Sequence, residues 1–365
     1  MNGIGLAGNV LKTLETSSSV GMFARDTGGC LISRLAVSRS RDESREISIA
    51  EITESSLFYF SAPLLAKSNA MRYSKQLKIP DGLISKPIND LKKTDADTLK
   101  KIKIGKFGQI LSTFGLILPF VFLIAPVRNF VTLAKTGKEK FTNVVELDKT
   151  KHEQKKEEAK EKTVNLVKTT GAVSLGVLLA NRGIMSSALK NKEFYKKAEP
   201  LIDKTIKHFD FTKSGDLELK HYGALIYPVS IASYFYASRD KYEVQENARR
   251  FSVTVPLLFY GEKLIQNPIH KFADKKFKTN IFNNGNIKSY EEIMKMPLKE
   301  RQQSIKAKNI AYGSTFFINT MAIAMGVALL NRYETKKRYE REHPNENIIK
   351  HTNNEENQIW KDIRI

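Results

Sequence analysis

Residues 107–127 and 309–331 contain no charged side chain, in a 365-residue chain of which 27% is charged. A helix rises about 1.5 Å per residue, so each run is long enough to cross the ~30 Å hydrocarbon core of a bilayer. That limits the chain to few folds. The first expectation is an all-α integral membrane protein with two to four membrane-embedded helices and charged helical segments outside the membrane. A large soluble or peripheral helical protein is the alternative, and Gln109, Ser112, Thr113, Asn319 and Thr320 inside the runs suit either.

Two weaker apolar stretches set the range of two to four, and a third falls short of a span. Residues 169–181 extend to Thr163 if Lys168 snorkels, and their Gly171, Ala172, Ser174, Gly176 and Ala180 would let another helix approach closely. Such small-residue faces also make a homo-oligomer an expectation. Residues 222–238 are uncharged and interrupted by Pro228, and residues 251–261 are too short to span. The run 107–127 holds Pro119 and is bulky, which suits a kinked helix facing lipid. The run 309–331 is rich in small residues, which suits packing against a helix.

Charge divides the chain further. The net charge is +21, concentrated in residues 67–106 and 239–308, each directly before one of the long runs. Lysines there can meet anionic headgroups, so the bilayer is the expected partner. The expected location is an integral membrane position with the basic regions cytoplasmic. Every connection is net basic, however, so the charge gives no orientation. The expected organisation is an N-terminal helical region (1–66), a basic linker (67–106) and a membrane-associated helical region (107–238). A second helical region ending in a membrane helix (239–340) and a polar tail (341–365) follow. Within the third region, residues 135–162 form a Lys/Glu-rich insert whose charges pair at helical spacing. The N-terminus lacks the basic and apolar blocks of a signal peptide, and the lone Cys30 excludes an intrachain disulfide.

Three strings recur in the same order. Ser40-Arg41-Asp42 resembles Ser238-Arg239-Asp240, Pro63-Leu64-Leu65 resembles Pro256-Leu257-Leu258, and residues 176–182 resemble residues 326–332. Two related halves would produce this pattern, and so would convergent helix caps.

Few residues suggest chemistry. Gly3, Gly5 and Gly8 match a dinucleotide-binding pattern but lack the preceding strand it needs. In residues 210–221, Asp210, Thr212, Ser214, Asp216 and Glu218 fall at oxygen-ligand positions of an EF-hand-like loop, with Gly215 at its turn. The twelfth position is His221 rather than a bidentate carboxylate, so calcium is the one cofactor to test and a Gly-centred turn is the alternative. The six histidines show no paired metal spacing, and no nucleophile–base pattern stands out. No catalytic constellation emerges, and the basic segments lack the aromatic interleaving of a nucleic-acid binder. The expected role is a structural, scaffolding or permeation-related membrane component. A transporter-like protein with two related halves is one alternative, and a peripheral protein binding anionic lipid or an acidic partner is another.

Overall fold

A computed structural model describes residues 23–91, 94–148, 150, 156–211, 219–283 and 286–344. The fold is all-α apart from one two-residue antiparallel pairing. A π-helical segment, Ala24–Leu31, leads into α1 (Ile32–Ala36). Next come α2 (Arg41–Ser56), a π-helical turn at Leu57–Ser61, and α3 (Ala62–Leu77). After a loop come α4 (Ala96–Thr136), the short α5 (Phe141–Val144), α6 (Lys156–Lys190), α7 (Lys192–Phe209) and α8 (Leu219–Ala237). The remainder begins with α9 (Lys241–Gly261), a π-helical turn at Glu262–Gln266, and α10 (Asn267–Phe277). Strands Phe282–Asn283 and Asn286–Ile287 pair, and α11 (Tyr290–Met294) follows. Last come α12 (Leu298–Phe317), a π-helical stretch Ile318–Met325, and α13 (Gly326–Glu342). The junctions at Ile318 and Gly326 keep helical backbone angles, so α12 to α13 is one continuous rod.

The rod α4 organises the bundle. Asp95 starts it by accepting the Thr98 N–H, and Gly137 ends it in the left-handed region. It runs through Pro119 and Pro126 without interruption. α2, α3, α6, α7 and α8 all pack on it. Ile102, Phe107, Ile110, Phe114, Ile117 and Val121 face the main core, and Ile124 and Ala125 join Ala50, Tyr234 and Phe251 in a second cluster. The run 107–127, expected to face lipid or to anchor, is the central helix; half of its most apolar window is buried in protein, and Phe120 stays exposed. Close approach is made possible by its own glycines. A Cβ on Gly108 would collide with the Met185 sulfur, and one on Gly115 with Val177. Of the small residues expected to do this on α6, Ser174 lies on the buried side, while a Cβ on Gly171 or Gly176 would meet open space.

The helix α6 is inverted relative to a soluble amphipathic helix. Its buried side is Thr170, Ser174, Asn181, Met185 and Ala188, at coiled-coil-like spacing. Its outer side exposes Val164, Val167, Val173, Leu175 and Leu179, the last at 60%. Inside the bundle, the Asn181 amide donates to Gly108 O (2.9 Å), Ser112 Oγ (2.8 Å) and Tyr73 Oη (3.0 Å). Asn69 donates to Thr113 Oγ1 at 3.1 Å, and Gln109 to Ala66 O at 2.9 Å. Along α6, polar groups thus line the buried side beside Met185 and Ala188 while apolar ones face outward. Both α4 and α6 are long and apolar enough to cross a membrane. The most apolar window of α4 is 50% buried within the protein, that of α6 only 11%.

The two uncharged runs are bounded alike. Lys106 precedes the first and Lys308 the second, and both are fully buried. Lys106 forms an ion pair with Asp210, and Lys308 Nζ donates to Lys288 O at 2.8 Å. At their far ends, Arg128 follows the first run and Asn331 closes the second, both buried. Likewise α3 and α10 each stop at a lysine in the left-handed region, Lys78 with φ 54° and Lys278 with φ 52°.

Candidate functional site

The starts of α2 and α9 meet at one end of the bundle. Their sequences are Ser-Arg-Ser-Arg-Asp-Glu-Ser-Arg-Glu over residues 38–46 and Ser-Arg-Asp-Lys-Tyr-Glu-Val-Gln-Glu over residues 238–246. Each begins with a tight turn, Ser38 N–H to Leu35 O (3.2 Å) and Ser238 N–H to Phe235 O (3.3 Å). Each helix is then capped by the next polar residue: Ser40 Oγ accepts the Glu43 N–H at 3.2 Å, and Asp240 Oδ1 the Glu243 N–H at 3.0 Å. The third helical residue, Glu43 or Glu243, folds back to accept the backbone N–H of Arg39 or Arg239, at 2.6 and 2.9 Å. It also accepts that arginine's Nε–H, at 3.1 and 3.0 Å. These local bonds fix each guanidinium, whose Nη2 also donates to the same glutamate, at 2.5 Å in Arg39 and 3.0 Å in Arg239.

Those Nη groups bond the other helix. Arg39 donates to both oxygens of Glu246, at 2.7 and 3.0 Å. Arg239 donates to both oxygens of Glu46, at 2.7 and 2.9 Å. The two bidentate pairs are exchanged, each arginine taking its outer glutamate from the opposite helix. Phe141 of α5 lies between the guanidiniums, 5.2 Å from that of Arg39 and 5.7 Å from that of Arg239, at distances typical of cation–π contacts.

The long rods supply the remaining contacts. Arg128 of α4 donates to Glu243 Oε1 at 2.8 Å and lies 3.7 Å from Glu46 Oε2. On the other side, Thr335 of α13 donates to Glu246 Oε1 at 2.5 Å, and Asn331 bonds the Glu246 carbonyl at 3.2 Å. Between the helices is a cavity of about 50 Å³ lined by Glu43, Glu46, Arg128, Phe141, Glu243 and Glu246, among others. One water occupies on the order of 10–15 Å³ by this measure, so the space suits a few waters.

Burial disfavours the charged form of each arginine, but two glutamates apiece outweigh it and raise Arg39 and Arg239 above the usual arginine value. Glu46 behaves in the opposite sense. Burial pushes it up, while Arg239 and Arg128 more than offset this and hold it below the ordinary carboxylate range. Arg39, Arg239 and Glu46 therefore stay ionised at neutral pH. The site is a closed clamp in which Glu43, Glu46, Glu243 and Glu246 each meet an arginine.

The loop proposed for calcium is only partly visible. Asp210 ends α7, and its carboxylate accepts from Lys106 and from the Ile88 N–H at 3.3 Å. Thr212, Ser214, Asp216 and Glu218 lie outside the described residues. Among the described residues, no group of three or more His, Cys, Asp or Glu side chains is placed to hold a metal.

The exchanged network was not read from the sequence, although part of its signal was. Pairing Ser40-Arg41-Asp42 with Ser238-Arg239-Asp240 is two residues out of register with the hydrogen bonds, which match Arg39 to Arg239. The pairing of 176–182 with 326–332 joins unlike settings: Asn181 bonds α3 and α4, whereas Asn331 bonds α9. No protein-family model, curated protein or solved structure matches the chain, so its function has to be read from this geometry.

Proposed function

We propose that the chain is an integral membrane protein built from two related helical halves, residues 38–136 and 238–342, and that its role is permeation-related, in the manner of a transporter. The observation that carries this reading is the reciprocal exchange of Glu46 and Glu246 between Arg239 and Arg39. Two copies of one motif related by an approximate twofold would clamp each other in this way, and paired halves around a central pathway are a common transporter plan. The matching left-handed lysines, Lys78 and Lys278, support the same register, and the buried lysines, Lys106 and Lys308, fall two residues from it. The polar interior and apolar exterior of α6 support a lipid setting, where buried polar groups must satisfy one another. In this reading the clamp seals one end of the pathway, and the lysines of 67–106 and 239–308 meet anionic headgroups.

Fractionation tests the location: the chain should stay with membranes after carbonate extraction, and its release would overturn the membrane reading. Reconstitution tests the role. Arg239→Gln, which loosens the clamp, should change the permeability of proteoliposomes to small solutes relative to the parent chain. Equal permeability of parent, variant and empty liposomes would leave a structural role instead.

A further inference from the structure

The two halves depart from each other at position 54. The motif register places Glu46 opposite Glu246, and both α2 and α9 continue as regular helix for two turns beyond, so Glu54 corresponds to Thr254. Thr254 bonds back within its own helix, donating to Arg250 O at 3.0 Å. Glu54 instead accepts a hydrogen bond from Ser230 Oγ of α8 at 2.6 Å. It has no arginine or lysine in ion-pair contact among the described residues, unlike Glu43, Glu46, Glu243 and Glu246.

One turn along α8 from Ser230, on the same face, lies Tyr234. It is 2% exposed, and its hydroxyl is buried with no partner among the described residues. A buried unpaired hydroxyl is costly and calls for an explanation. The Tyr234 ring lies between two cations, with the Arg250 guanidinium 4.1 Å and the Arg128 guanidinium 5.3 Å from its centroid. Arg128 is the same arginine that bonds Glu243 in the clamp.

We propose that Glu54, with Ser230 and Tyr234, is a proton-binding site set between the first half and α8, adjoining the exchanged clamp. The step is a reversible protonation: a proton from water adds to a carboxylate oxygen of Glu54 to give the neutral acid, and no other bond forms or breaks. The groups around it are Glu51 on its own helix, Arg34 of α1 (itself bonded to Glu51), Ser230 and Tyr234 of α8, and Arg250 of α9. Burial raises the proton affinity of Glu54 above that of an ordinary carboxyl and Glu51 adds to this, while Ser230, Arg250 and Arg34 work against it without cancelling it. A change of charge here is felt by Arg250 and, across the Tyr234 ring, next to Arg128. As a coupling site it rests on the transporter reading; as a protonatable carboxyl it does not.

Infrared difference spectra of the purified full-length chain, titrated with acid and base, test the chemistry. A protonated-carboxyl band should persist above the ordinary carboxyl range and be missing in Glu54→Gln, while any raised band of Asp210 remains in that variant. Ser230→Ala removes a donor that favours the carboxylate, so it should move that band's loss to still higher pH; this variant serves if Glu54→Gln fails to fold. An unchanged spectrum in Glu54→Gln, or an unshifted titration in Ser230→Ala, would overturn the proposal. In proteoliposomes, Glu54→Gln should abolish proton movement driven by a pH gradient. If the parent chain moves no protons while its infrared band behaves as stated, the transport reading fails and the titratable site stands.

Discussion

The turns at 38–46 and 238–246 make the same hydrogen bonds but carry different electrostatic loads. Arg239 holds Glu46 and Glu243, and Arg128 reaches the same two carboxylates, so two guanidiniums serve two deeply buried acids. Arg39 holds Glu43 and Glu246, whose side chains are 14% and 12% exposed. There the matching rod offers the Thr335 hydroxyl in place of a second arginine, and Asn331 bonds the Glu246 backbone carbonyl rather than its carboxylate. The geometry is thus nearly twofold while the charge is not. The deeper pair of acids needs a second cation because solvent does not reach it; the shallower pair manages with dipoles and partial exposure.

That comparison sets an order of effects. Arg239→Ala leaves two buried carboxylates short of a cation and should cost about 3–5 kcal/mol in thermal or denaturant unfolding of the detergent-solubilised chain. Arg39→Ala strands more exposed acids and should cost about 1–3 kcal/mol; an equal or larger loss would break the asymmetry. Acid should act on the deeper side in the same direction. Because Glu46 is held below its unfolded value, its contribution is present above the ordinary carboxylate range and disappears as pH falls through its lowered value. Melting curves of Glu46→Gln should therefore lose part of the parent's acid sensitivity.

Packing sharpens a second contrast, that between α4 and α6. Gly108→Ala drives a methyl into Met185 and should destabilise by about 1–3 kcal/mol. Gly176→Ala meets open space in mid-helix and should stabilise by about 0.4–1 kcal/mol. If both are neutral, the close approach of α4 and α6 is not as described.

The helical class and the location of the longest apolar elements were legible because 21 and 23 uncharged residues leave a chain little else to form. Which of them is central was not. Apolarity marks residues 107–127 as buried in something, but only the glycines at 105, 108 and 115, facing partners distant in sequence, decide that the something is protein. The inverted face of α6 was equally obscure, since nothing local to Thr170, Ser174 and Asn181 says that they meet α4. In the clamp, four shared residues in nine at a separation of 200 are easily taken for ordinary helix-start charges. Their meaning lies in which helix the outer glutamate bonds, and local sequence does not encode that. Position 54 became visible only once the register was fixed by Arg39 and Arg239.

The exchange itself is the central claim, and a double-mutant cycle measures it. Unfolding free energies for Arg239→Ala, Glu46→Ala and the double variant, with the same set for Arg39 and Glu246, give two coupling energies across 193 and 207 residues of sequence. Coupling of about 1 kcal/mol or more in both cycles, larger for Arg239–Glu46, is the result expected of exchanged buried pairs. Coupling near zero in both, with Arg39–Glu43 and Arg239–Glu243 still coupled within their own helices, would contradict it.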